Sequence, residues 1–169
     1  MGGPGNRAGR DRERIMAEHP VPKIKLDYAF SVRIDFSERI VIDGPVRSRV
    51  YVPPSGGEIW GPRLQGKVVP YSGADYASNG LLNAHYMLQA SDGAWIYIYN
   101  TGYIRRKDGK PVQVDDTKSG PEIDYYFRIT PYFDAPFGPH EWLNRTVMVG
   151  TAKRYPNPDH TIFTYYAVL

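Results

Sequence analysis

The sequence predicts an all-β domain folded as a single antiparallel barrel of about eight or more strands. Three observations carry this. Apolar and polar residues alternate with a period of two in segment after segment, turn residues separate the segments, and several segments are apolar or aromatic on both faces. Alternation sends successive side chains to opposite faces of a strand, whereas a helix needs apolar residues three and four apart.

In the first segment Leu26, Tyr28, Phe30, Val32, Ile34 and Phe36 alternate with Asp27, Ala29, Ser31, Arg33 and Asp35. Further strands are expected over residues 46–52, 59–69, 83–90, 95–104, 123–133, 145–153 and 161–168. Asp92-Gly93 lies between two such segments as a tight hairpin signal, and Asp108-Gly109 marks another turn, so neighbouring strands are expected to be antiparallel. Only residues 138–144 read as a helical turn. In the segment after Gly93, Ala94, Ile96 and Ile98 fall on one face and Trp95, Tyr97 and Tyr99 on the other. A sheet wet on one side would not carry apolar residues on both. Closure into a barrel removes the edges and gives one face an interior. The second face is then available to another subunit, and a two-sheet sandwich is the alternative architecture.

The chain has 169 residues, the size of one domain. Residues 1–22, rich in Gly, Pro and alternating charge, read as a flexible N-terminal tail or at most a short helix, and residues 23–169 as the barrel domain. The net charge of +3 sits in the first 25 residues, which hold six basic and three acidic side chains; the remainder carries 15 of each. A neutral body argues against nucleic acid as a partner. No cysteine is present, which excludes disulfides and thiolate chemistry. The N-terminus lacks the apolar core of a secretory signal and no apolar run reaches 18 residues, so no membrane association and a cytoplasmic location are expected.

The segments SGGEIWGPRLQGKVVPYSGADY, LNAHYMLQASDGAWIYIYNTGY and DYYFRITPYFDAPFGPHEWLNRTVMVG together resemble the family called domain of unknown function 3237. The resemblance spans nearly all of residues 26 to 168. It implies a calycin-like, lipocalin-like barrel with an internal cavity, assembled as a homo-oligomer, a dimer or higher. Tyr76 stands where the family pattern has Trp, and Tyr71 and Ser72 where it has Gly, which implies a differently shaped cavity mouth.

Asp75 is the first candidate for chemistry. It lies among small residues from Ser72 to Tyr76 that permit close approach to a ligand, and an apolar cavity would raise its pKa; otherwise it forms an Asx-turn. Arg128, between Phe127 and Ile129 and on the face of Tyr126, would stabilise an oxyanion or pair with a carboxylate. Tyr126, Tyr86 and Tyr97 are candidate proton donors or oxyanion partners, with Arg128 and Tyr126 grouped with Asp75 as catalytic. Trp60, Tyr86, Tyr97, Trp142 and Asn144 are candidate substrate-binding residues, Trp142 and Asn144 alternatively closing one barrel end. His19, His85, His140 and His160 show no ligand spacing, so no metal is expected; His85 is at most a general base. Asp92 reads as a turn former. No phosphate-cradling Gly loop precedes a helix, so no nucleotide cofactor is expected.

These residues suit a cofactor-independent enzyme of isomerase, cyclase, dehydratase or lyase type, acting by proton transfer on a small aromatic or polyketide-like carbonyl compound inside the barrel. The alternatives are a non-catalytic carrier of a small hydrophobic ligand, and a structural module whose barrel is filled by its own side chains.

Overall fold

The computed structural model describes residues 5–112 and 123–169. Among these residues are one α-helix, α1 (Gly5–Glu18), eleven strands and a short 3-10 helix (Glu141–Arg145). The strands are β1 (Leu26–Phe36), β2 (Ile40–Asp43), β3 (Ser48–Val52), β4 (Pro54–Trp60), β5 (Gly66–Val68), β6 (Ala74–Ala77), β7 (Leu81–Ala90), β8 (Trp95–Arg106), β9 (Tyr125–Asp134), β10 (Met148–Pro156) and β11 (Asp159–Val168). Eight of them close an antiparallel barrel in the order β1-β4-β5-β7-β8-β9-β10-β11, completed by the pairing of β11 with β1 and of β7 with β8. The remaining three form a flap: β6 pairs with β7 beyond the end of β5, β3 with β6, and β2 with β3.

Several elements differ from the sequence expectation. The segment expected over residues 59–69 contains only the last two residues of β4 and then β5, because the chain turns at Gly61-Pro62; residues 54–58 of β4 lie outside the expectation. β2 is an added strand, and β6 replaces an expected loop around Asp75. Within the segment read as a tail, α1 is longer than the short helix expected. Ala8, Arg10, Arg12, Glu13, Met16 and Ala17 are strong helix formers, and Pro20 and Pro22 prevent its continuation. Its side chains from residue 8 to 18 are all exposed. Among the described residues no helix is long and apolar enough to cross a membrane.

β1 keeps its alternation but changes phase. A bulge at Ala29 shifts its register against β11, so Phe30, Val32 and Ile34 point inward while Leu26 and Tyr28, on the far side of the bulge, are exposed. The interior has two halves. In one, Phe30 stacks on Tyr165 at 4.9 Å between centroids and meets Phe133 edge-on at 6.0 Å. Leu88, Ile96 and Ile98 complete this packed half, and Leu143 of the 3-10 helix seals its end. The other half, beneath the flap, is hollow.

Candidate functional site

The hollow half holds a cavity of about 650 Å³, within the range of small-molecule sites. Its walls are mostly apolar, with Ile34, Val52, Leu82, Phe127 and Phe163 among them. Among the described residues, four charged side chains line it: Arg39, Asp43, Asp75 and Arg154. Asp43 lies at the exposed hairpin of β2 and β3, where it accepts a hydrogen bond from Ser48 Oγ at 2.7 Å.

Asp75 is delivered by β6. The strand is pinned between β3 and β7, with Asp75 opposite Val52 on one side and Ala84 on the other. Immediately before it, Ser72 Oγ donates to Val69 O at 2.7 Å and accepts from Met87 N–H at 2.9 Å, tying the loop to β7. Gly73 then passes so near β7 that a Cβ there would lie 1.9 Å from His85 O. Gly73→Ala is therefore expected to force β6 from β7, destabilising the fold by about 2 kcal/mol or more and displacing Asp75. Urea unfolding of the variant checks this, and a stability equal to that of the parent would refute the close packing.

Asn83 N–H donates to Asp75 Oδ1 at 3.0 Å. Burial raises the Asp75 pKa to about 6; the Asn83 hydrogen bond and the charges of Arg39 and Arg154 pull in the opposite direction without overcoming it. Arg39 is held in place by Asp159 through a fork, Nε to Oδ2 at 3.0 Å and Nη2 to Oδ1 at 2.8 Å, and lies over the Phe36 ring at 5.3 Å. Arg154 reaches the cavity by strand parity, following Met148, Gly150 and Ala152 along β10.

Tyr86 presents its ring to the cavity floor, but its hydroxyl is buried beside Tyr165 and Asn100 and makes no well-formed hydrogen bond. Asn100 Nδ2 donates to Tyr165 Oη at 3.0 Å. Burial holds both phenols above their ordinary range, so they remain protonated. This polar layer separates the cavity from the packed half.

Of the residues singled out from sequence, Asp75 and Tyr86 line the cavity. The others do not, and the grouping of Arg128 and Tyr126 with Asp75 is corrected. On β9 Phe127 and Ile129 point inward, which turns Tyr126 and Arg128 outward. There Tyr126 lies between the guanidinium groups of Arg105, at 4.5 Å, and Arg128, at 4.9 Å. Tyr97 is also outside, hydrogen-bonded to His85, whose ring stacks on Tyr99 at 4.1 Å. Trp60 ends β4 on the outer face.

Trp142 belongs to the sealed end, edge-on to Phe30 at 6.4 Å and covered by Arg63 at 3.7 Å. Asn144 clasps Ala135, accepting from its N–H at 2.7 Å and donating to its carbonyl at 2.9 Å. Asp92 caps its turn by accepting from Ala94 N–H at 3.1 Å, and also meets His140 Nε2 at 3.0 Å. Among the described residues no three His, Asp or Glu side chains converge as a metal site.

Sequence reasoning missed Arg39 and Arg154. The signal for Arg154 was present as an arginine at an inward position of an otherwise small and apolar strand face. Arg39 had none, since its position depends on Asp159, 120 residues away.

Comparison with known proteins agrees with this architecture. The family described as "Protein of unknown function (DUF3237)" matches residues 24–168. A protein called "UPF0311 protein" from Rhodopseudomonas palustris is 28% identical over 158 residues, covering 88% of this chain and 99% of its own. A β-barrel-like protein from Acinetobacter baumannii superposes with a TM-score of 0.73 at 26% identity, over 89% of this chain and 99% of its own. A protein described as an enzyme from Penicillium herquei shares the fold, with a TM-score of 0.64 at 20% identity, over 89% of this chain and 98% of its own.

Proposed function

Given that the chain belongs to the DUF3237 family of proteins of unknown function, we propose that it is a cofactor-independent enzyme that moves a proton on a small carbonyl or phenolic compound held in the barrel. The observation that carries this reading is Asp75, a carboxyl group set into an apolar chamber, with its pKa raised to about 6 and two guanidinium groups in reach. A base of that pKa is ionised at neutral pH yet binds protons strongly enough to remove one from an activated C–H or O–H.

The step balances in charge. Asp75 takes the proton, and the electron pair of the broken bond becomes an enolate or phenolate on the substrate. Negative charge thus passes from Asp75 to the substrate while staying within the field of Arg39 and Arg154, the groups that take the oxyanion role first given to Arg128. The protonated Asp75 then returns the proton to a second carbon, to a leaving oxygen or to an acceptor double bond. These outcomes correspond to isomerisation, elimination and cyclisation. Tyr86 supplies a wall for the substrate ring. The Penicillium herquei protein, described as an enzyme, supports the fold as a host for catalysis, while the assignment of chemistry rests on Asp75.

The test is proton exchange. A panel of 1,3-dicarbonyl and hydroxyaryl ketone compounds is incubated in D2O with the protein and followed by NMR. Accelerated exchange at one position is expected, falling by about 10²- to 10⁴-fold in Asp75→Asn. Ligands that bind without any acceleration would overturn the reading in favour of a carrier, which the apolar walls would equally serve.

A further inference from the structure

We infer that Asp159 is a positioning residue for the cavity: by holding one edge of the Arg39 guanidinium it keeps that cation from pairing with Asp75 and leaves the remaining amino group for a bound oxyanion. The inference rests on the reading of Asp75 as the base, and it concerns a residue outside the cavity walls. Arg39 lines the cavity together with Asp75, whereas Asp159 does not. Asp159 opens β11 two residues before Thr161 and four before Phe163, and both of these do line it. By strand parity Asp159 therefore stands on the inward face of β11, at the rim. Arg39 donates to it three times, Nε to Oδ2 at 3.0 Å, Nη2 to Oδ1 at 2.8 Å and Nη2 to Oδ2 at 2.6 Å. The side chains are only 14% and 29% exposed, so water screens the pair weakly. These contacts use Nε and Nη2. Among the described residues Nη1 has no hydrogen-bond partner, and it is not buried.

A carboxylate beside an arginine ordinarily pairs with it directly, which lowers the carboxyl pKa by about 1 to 3. Such a pair would leave Asp75 a weak base. Asp75 instead accepts from Asn83 N–H, and no hydrogen bond joins it to Arg39 among the described residues. Asp159 wins the guanidinium by geometry, because the fork satisfies both of its oxygens at once while Asp75 Oδ1 is already committed to Asn83. Arg39 then acts on Asp75 through space only. The other titratable and charged groups lining the cavity are Asp43 on β2, Tyr86 on β7 and Arg154 on β10. His160, next to Asp159, faces outward and stacks on Tyr155 at 4.8 Å. When negative charge passes to the substrate, Nη1 can donate to the new oxyanion without release of the fork, so the donor is fixed before the charge develops.

The test reads the Asp75 carboxyl by carbon NMR of the full chain with labelled aspartate, assigned through Asp75→Asn, and needs no substrate. The parent midpoint near pH 6 is expected to fall by about one pH unit or more in Asp159→Asn, which releases Arg39 to pair with Asp75. Asp159→Glu keeps a carboxylate for Arg39 and should restore most of the parent value. With Arg39→Met added to Asp159→Asn there is no guanidinium to move, and the fall should vanish. Arg39→Met alone leaves Asp159 intact, so the test stays open should Asp159→Asn unfold; it should raise the midpoint by removing a cation that acts on Asp75. Circular dichroism checks that each variant folds. An unchanged or raised midpoint in folded Asp159→Asn would overturn the inference, as would no rise in Arg39→Met. A fall that persists in the double variant would do the same, because Asp159 would then act on Asp75 by its own charge. Proton exchange enters none of these titrations, so its absence for every compound counts against the proposed function alone. Where exchange is found, Asp159→Asn is expected to lower kcat by roughly 10-fold or more with KM little changed. A rise in KM alone would overturn the oxyanion role of Arg39.

Discussion

Asp75→Asn is expected to make the protein more stable above pH 6 while slowing proton transfer by about 10²- to 10⁴-fold. The carboxyl has an ordinary pKa near 3.8 in the unfolded chain and about 6 in the folded one. A raised folded-state pKa contributes stability that is fully present below about pH 4 and is lost as pH rises through 6. Above that the folded chain carries an ionised group in an apolar wall. The elevation corresponds to up to about 3 kcal/mol. Asparagine is neutral and nearly isosteric, and its Oδ1 can still accept from Asn83 N–H. Urea unfolding at pH 7.5 should therefore show the variant ahead, with the gap closing by pH 4. The converse result, a variant less stable at pH 7.5, would show that Asp75 serves the fold. Stability gained by removing a side chain is the mark of a group retained for function. The same pKa predicts that activity rises as pH increases through about 6, where Asp75 becomes able to accept a proton.

Phe30→Ala should be the most damaging single truncation, at about 3 to 5 kcal/mol. Phe30 is fully buried and joins β1 to β11 through Tyr165, to β9 through Phe133, and to the sealing 3-10 helix through Trp142. Its removal leaves a void among rings held by a closed barrel, which cannot collapse around it. A fall in Tm of roughly 10 °C is expected for a domain of this size. A loss below about 1 kcal/mol would mean that this half of the barrel is loosely packed rather than a core. The cavity lies in the other half, so below the melting transition ligand binding should survive in this variant. That separates the two halves experimentally.

Much of the fold is legible in the sequence. β1, β7, β8, β9, β10 and β11 fall where alternation placed them, and Gly93, at φ 90°, makes the turn that Asp92-Gly93 announced. The strands missed were short. β2 and β6 have four residues each, too few for a period of two to stand out. β6 exists because β3 and β7 offer it edges on both sides. For the site, residue type led to Asp75 and Tyr86, but not to Arg39 and Arg154. Where both faces of a strand are aromatic, composition does not distinguish inside from outside, so Tyr97, Tyr126 and Arg128 could be read as interior when they are not. Asn144 and Trp142 sit at the end of the barrel opposite the cavity because the chain closes there with a 3-10 helix.

Alternation, turn residues and rings on both faces are short-range properties. By themselves they determined an antiparallel all-β domain, pointed to a barrel ahead of a two-sheet sandwich, and marked a carboxylate among small residues. Tertiary structure decided the phase of each strand, through features as small as the bulge at Ala29. It also decided which charges meet. Asp75, Arg39 and Arg154 come together only because β1 pairs with β11 and β6 with β7, and Asp159 draws Arg39 across 120 residues of chain. Burial has the same origin. The free energy that raises Asp75 to about 6 belongs to the closed barrel and to no segment of it.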